Sequence, residues 1–420
     1  MLKIKSTIVF LFFCVTINAQ DVSYAKKIVD TLASKYMAGR GYVENGDKKA
    51  ANYIKSEFKN LKLKKVKLSY FQNFSFPVNT FPNASLVILV NDTLTEGKHY
   101  IFSPSSTSLE YDGELIFIND SVFASNKFIE DLFTGIFYRK ILCITTSNTK
   151  QLNSVLEEVN SLKFKPAAII LTKKKLTWSV ATETKSVALL EIIDSLLPAN
   201  TKQIKIKLQN QFIAKHKTQN VIAKIKGKSK SDTCIVFTAH YDHLGKMGNA
   251  IFPGANDNAS GTAMLLSLAN YYAKPENKPN YSIIFMAFAG EEAGLIGSKY
   301  YTENPLFDLS KIKFLVNLDL MGTGDDGVTV VNATEYKQEF EALQKINSEK
   351  KYIKEVKKRG KAANSDHYWF TEKRVPSFFI YANGARMHYH DVYDVRETLP
   401  LENFNNLFKL LIDFSNTIQN

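Results

Sequence analysis

The sequence predicts an α/β protein in which a layered domain of alternating strands and helices is interrupted by an inserted module rich in β-structure. Three observations lead there. From Asn220 onward, short apolar runs alternate with stretches of helical periodicity. Between about 66 and 212 the texture changes to short β-type runs separated by turn residues. At 420 residues and 45% hydrophobic content, the chain is longer than one average domain needs. The expected division is a leader over 1–20, one domain assembled from 21–65 and 213–420, and the β-rich module over 66–212.

The leader opens with Lys3 and Lys5, runs apolar from Ile8 through Val15 and ends in Asn18, Ala19 and Gln20. That layout is expected of a secretory signal peptide, which directs the protein to the periplasm or the extracellular space. Its apolar stretch is short for a membrane span, and no later segment approaches eighteen uninterrupted apolar residues, so no stable membrane insertion is expected after cleavage. Removing Lys3 and Lys5 lowers the net charge of +13 by two, to +11. The lysines are spread over surface-like stretches, with a local cluster at Lys62, Lys64, Lys65 and Lys67 and no interleaved aromatic pattern. A solvated basic face, with no nucleic-acid partner, is the expectation. Cys14 leaves with the leader; Cys143 and Cys234 sit in strand-like runs and form either one disulfide or two buried thiols.

Two helices are expected next, Val22 to about Met37 and about Asp47 to Leu61, the second with Ala50, Ile54, Phe58 and Leu61 at helical spacing. Gly39, Gly41 and Gly46 separate them. Inside the module, Ser85 to Val90, Glu114 to Ile118 and Ile141 to Thr145 read as strands, and no ligand-like cluster of His, Asp and Glu occurs there. Further strands are expected at Val221 to Ile225, Cys234 to Ala239, Ser282 to Phe288, Phe314 to Leu318, Val328 to Val331 and Ser377 to Tyr381. Helices are expected at Ser260 to Ala273, with Ser260 as N-cap, at Leu295 to Tyr301 and at Lys337 to about Lys350. A last amphipathic helix, Leu401 to Ile418, puts Phe404, Leu407, Leu411 and Phe414 on one face.

The chemistry-bearing residues concentrate just after apolar strands, where open α/β sheets bind ligands. His240-Tyr241-Asp242-His243 follows Cys234 to Phe237. A histidine there presents one ring nitrogen to a metal while a carboxylate two residues on holds the other, although many such triplets are ordinary hydrogen-bonded surface. Asp257, in Gly254-Ala255-Asn256-Asp257-Asn258-Ala259-Ser260-Gly261, either caps the following helix or, on a rigid turn, bridges two cations. Glu291 and Glu292 end the nearly unbroken apolar run Ser282 to Phe288. Adjacent buried carboxylates repel one another unless cations compensate them, so one suits a metal ligand and its neighbour a proton acceptor. Asp319 ends another strand, and His388-Tyr389-His390-Asp391 lies in a late loop. Oxygen and imidazole ligands without thiolates suit catalytic Zn²⁺, with Mn²⁺ or Co²⁺ as alternative occupants.

In this order, these groups resemble the M28 family of zinc peptidases from about Asn220 to Thr398, and more faintly at Gly39-Arg40. The resemblance implies the zinc exopeptidase fold, a mixed, mostly parallel central sheet flanked by helices, and the inserted module resembles a protease-associated (PA) domain. It implies two Zn²⁺ per chain, with Asp257 bridging them, His240 and Asp319 completing one site, and Glu292 and His390 the other. Glu291 would be the general base, Asp242 would orient His240, and Tyr389 would donate to the developing oxyanion. Asp366, in Ser365-Asp366-His367, matches a further family motif near the site. Where the family commonly shows Thr or Ser after the histidine, Asp391 follows His390 directly, so His388 stands as the alternative to His390. The implied activity is that of a secreted di-zinc metallo-exopeptidase acting on peptide substrates, most often an aminopeptidase. A carboxypeptidase needs an arginine clamp, which Arg386 keeps open; a glutaminyl cyclase of the same fold typically uses one zinc. A non-catalytic binding protein would be expected to lack ligands, and none is missing.

Overall fold

The computed structural model describes residues 22–89, 92–384 and 388–419. The expected leader and Arg386 lie outside the described residues. Strands Phe71–Thr80 (β1), Gln211–Ile225 (β2), Lys230–His240 (β3), Tyr281–Phe288 (β4), Ile312–Asp319 (β5), Val328–Val331 (β6), Val356–Lys358 (β7) and Ser377–Ala382 (β8) form one sheet in the order β1-β2-β4-β3-β5-β8-β6-β7. The pairs β4-β3, β3-β5, β5-β8 and β6-β7 are parallel; β1-β2, β2-β4 and β8-β6 are antiparallel. This is the mixed, mostly parallel sheet expected. Every residue of β4 is buried, as befits a central parallel strand covered on both faces.

Helix Gly261–Ala273 is buried over nearly all its turns and packs on β3, β4 and β5 beneath helices Val22–Leu32 and Phe404–Gln419. Its start departs from expectation. Ser260 is already helical and makes no capping bond; its hydroxyl donates to Asn256 O (2.7 Å), while Asn258 Oδ1 accepts from Gly261 N (2.9 Å). The helix expected from Val22 to Met37 is an α-helix to Leu32 followed by a 3-10 segment, Lys35–Arg40.

A second eight-stranded sheet is built from residues 86–208, in the order Asp92–Thr93, Leu86–Leu89, Gln203–Leu208, Leu109–Ile118, Ile141–Ile144, Ala168–Lys173, Ala188–Ile193, Tyr100–Phe102. It carries helices that the sequence pattern did not suggest, Asn126–Thr134 and Thr149–Glu158, capped by Ser125 and Asn148. β1, within the 66–212 span, pairs with β2 in the first sheet.

One apolar cluster spans both sheets' surroundings. Phe81, Tyr100, Phe102 and Trp178 pack with Leu244 and with Met247, Ala250 and Phe252 of the hairpin Gly245–Met247/Ala250–Phe252. Gly248 N donates to Phe81 O (2.9 Å) and Asn249 N to Glu96 Oε2 (2.8 Å) across the same junction. Cys143 and Cys234 are free buried thiols, each pushed up to about 12 by burial. Among the described residues, no helix is long and apolar enough to cross a membrane.

Candidate metal centre

Three parallel neighbours, β4, β3 and β5, end at one edge of the sheet. His240 lies opposite Phe288, and Thr238 opposite Asn317, so His240 and Asp319 emerge level with each other and the Glu291-Glu292 turn leaves from β4 beside them. Thr238 Oγ1 donates to Asn317 Oδ1 (2.6 Å) and Asn317 Nδ2 to Ser365 Oγ (2.8 Å), which ties the Ser365-Asp366-His367 segment to the same edge.

Asp257 reaches the cluster from the turn before helix Gly261–Ala273. Asp394, for which the sequence pattern suggests no role, accepts from Asn256 N (2.9 Å) and Asp257 N (3.0 Å). Asn258 Nδ2 donates to Leu318 O (3.0 Å), locking the turn to β5. Arg40 is fully buried and donates to the carbonyls of Tyr241 (2.8 Å), Leu32 (3.0 Å), Pro253 (2.6 Å), Gly254 (2.8 Å) and Asp257 (3.2 Å). Gly254 has φ +58°, and a side chain there would collide with the His243 ring.

The two carboxylate oxygens of Asp257 face different histidines. Oδ1 lies 3.4 Å from His240 Nε2, which is 3.5 Å from Asp319 Oδ2; Asp257 Oδ2 lies 3.2 Å from His390 Nε2, which is 3.3 Å from Glu292 Oε2. Ligand atoms bound tetrahedrally to zinc at about 2.0–2.2 Å are separated by roughly 3.3–3.6 Å, so these four histidine–carboxylate separations are close to those of zinc ligands, and ligand atoms of His243, Asp257 and Glu292 also lie within 4.8 Å of one another. Asp319 Oδ1 is buried with no hydrogen-bond partner, as a carboxylate awaiting a cation would be. A Glu291 oxygen falls within 4.8 Å of ligand atoms of His240 and Glu292.

The histidines are aimed by carbonyls. His240 Nδ1 donates to Asp242 O (3.1 Å); the Asp242 carboxylate, expected to hold that ring, is 3.8 Å away. It accepts instead from Tyr42 OH (2.9 Å), Glu291 N (3.2 Å) and Glu292 N (3.4 Å), and so anchors the diglutamate turn. His390 Nδ1 donates to Trp178 O (3.0 Å), and the Tyr389 ring stacks on His390 at 3.9 Å. His388 turns to Tyr393 (ring centroids 5.9 Å apart). His243, not singled out as a ligand, contacts Glu292 Oε1 at 2.7 Å, and its Nε2 has no hydrogen-bond partner.

The electrostatics are those of crowded carboxylates with too few cations. Burial raises the Glu291 carboxyl well above the usual range against the pull of His240, with Glu292, Asp366 and Asp319 adding to the rise. Burial likewise raises Asp366 to about 7 and Asp242 to about 6. Burial opposes a charged His390, but Glu292 and Asp257 outweigh it and push the imidazole up to about 11. Cations in this cluster would relieve the carboxylate repulsion.

Residues 220–415 match the model of Peptidase family M28. A probable zinc metalloprotease of Pyrenophora teres f. teres is 40% identical over 115 residues, 26% of this chain and 23% of that protein. Aminopeptidase YwaD of Bacillus subtilis is 36% identical over 128 residues, 30% of this chain and 26% of that protein. These matches therefore span about a quarter of the length of those relatives. Among solved structures, the zinc aminopeptidase BSAP from Bacillus subtilis superposes with a TM-score of 0.69 at 19% identity, over 94% of both chains. A peptidase M28 precursor from Shewanella amazonensis gives 0.72 at 17% identity, over 96% of this chain and 94% of that one. At such identities the structural likeness is one of fold.

Proposed function

We propose that this chain, whose residues 220–415 match the model of Peptidase family M28, is an exported zinc exopeptidase that releases residues from the amino end of peptides. His240, Asp257 and Asp319 would hold one zinc, and Asp257, Glu292 and His390 the other. The observation that carries this reading is the splitting of Asp257 between two histidines at 3.4 and 3.2 Å. When bound, two zinc ions supply Lewis acidity that acidifies a water and polarises the scissile carbonyl. Glu291 takes a proton from the attacking water and passes it to the leaving amine. The Asp242 carboxylate keeps the Glu291 turn in place through its backbone N–H bond, and Tyr389 is the candidate donor to the carbonyl oxygen. The module over 66–212 is read as the PA-like unit.

Arg40, the buried guanidinium beside the cluster, spends its donors on five main-chain carbonyls and has none to offer a substrate carboxylate, which leaves Arg386 as the arginine a carboxyl-end reading would need. Amino-end cleavage is favoured by the names of the B. subtilis relatives, both of them aminopeptidases. Hydrolysis of amino-acid p-nitroanilides, with N-blocked peptides left intact and no ammonia released from an N-terminal Gln peptide, is the expected specificity. Glu291→Gln should lower turnover by about 10²–10⁴-fold with two zinc ions retained. Loss of zinc together with turnover would make Glu291 a ligand and contradict the assignment.

A further inference from the structure

His240 and Asp319 are delivered by neighbouring strands of one sheet, but His390 lies in an irregular segment with a positive φ of 56°. What fixes its ring comes from the other sheet's module. Trp178, in the loop between Ala168–Lys173 and Ala188–Ile193, donates its main-chain N–H to His390 O (3.0 Å) and accepts from His390 Nδ1 at its own carbonyl (3.0 Å). A carbonyl only accepts, so Nδ1 carries the hydrogen of this bond and Nε2 is turned toward Asp257 and Glu292.

Trp178 is itself held firmly. Its indole N–H donates to Phe102 O (2.8 Å), its ring stacks on Phe252 of the metal-bearing domain at 4.6 Å and 25°, and Phe81 packs at 6.3 Å. Asn79 N donates to Ala181 O (2.9 Å), pinning the same loop a few residues on. The carbonyl that aims His390 is thereby fixed by an aromatic core shared between module and metal domain.

We propose that the β-rich module completes the metal centre, with Trp178 as the positioning residue that orients His390, so that one of the two zinc sites depends on the module and the other does not. The proposal rests on the reading of His390 as a zinc ligand. The site at His240 and Asp319 draws its ligands from the first sheet and its adjoining turn. The site at Glu292 and His390 is finished only when module and domain are docked. Partners that hold a ligating histidine by its second nitrogen typically matter about 10–100-fold in metal affinity.

The test is zinc titration of EDTA-stripped wild type, Trp178→Ala, Trp178→Phe and His390→Ala against a competing chromophoric chelator, with circular dichroism and thermal melting of each zinc-free chain. Wild type should take up two ions. Trp178→Ala should weaken one site by about 10–100-fold and leave the other within twofold. Should Trp178→Ala fail to fold, Trp178→Phe decides: it keeps an aromatic ring against Phe252 but loses the bond to Phe102 O, and one site should weaken by about 2–10-fold. A folded variant that keeps both affinities, or loses both equally, overturns the proposal while leaving the metal assignment intact. A wild type that binds one zinc with the same affinity as His390→Ala overturns the assignment of His390 and the proposal with it.

Discussion

Asp257 offers one oxygen to each histidine, so under the proposed assignment its effect would be felt at both zinc sites, whereas Asp319 and Glu292 would each serve one. Asp257→Asn removes the charge that the pair of ions would share. It is expected to lower zinc content from two toward none, and turnover at least as far as Glu291→Gln does; Asp319→Asn should lower zinc content by one. Metal analysis of the purified variants checks this, and an Asp257→Asn protein that keeps two tightly bound ions would remove Asp257 from the bridging role. His240, Glu291, Glu292 and Asp319 stood out as candidates beforehand because each follows an apolar strand, and Asp257 because it sits on a glycine-flanked turn, whereas His390, in a late loop, was marked only by the family resemblance. Trp178 was not legible, since any residue type offers a carbonyl and no side-chain pattern marks it. Asp394 was equally silent: it acts on backbone N–H groups 137 and 138 residues away.

Elements were legible where one physical signal dominated. β4 is apolar throughout because both faces are covered, and the helix Lys337–Lys350 was found at its expected bounds. The short helices of the second sheet escaped because their periodicity extends over only nine and ten residues inside a β-rich context. Ser260 misled because the chain is already helical there, and Asn258, held against β5, serves the helix start. The 3-10 segment Lys35–Arg40 matters through its last residue, which joins helix Val22–Leu32, the end of β3 and the Asp257 turn. Arg40→Met keeps bulk but strands these buried carbonyls, each costing about 1–3 kcal/mol if left unpaired. A loss of at least about 3 kcal/mol in urea unfolding is expected, and an unchanged midpoint would show the network to be dispensable.

For the whole molecule, the two sheets share an apolar junction, and the crowded carboxylates lie at the edge of one of them. Bound zinc should therefore stabilise the folded chain. At a free concentration of about 1,000 times the dissociation constant, one ion contributes roughly 4 kcal/mol. Chelation is expected to lower the melting temperature and re-addition of zinc to restore it, whereas a melting temperature indifferent to chelator would mean that no ion belongs in the cluster. The central claim, two ions sharing Asp257, is tested most directly by anomalous diffraction at the zinc edge from crystals of the zinc-loaded protein. The expected result is two peaks, one among His240, Asp257 and Asp319 and one among Asp257, Glu292 and His390. A single peak, or a second ion held by His243 or His388 in place of His390, would contradict it.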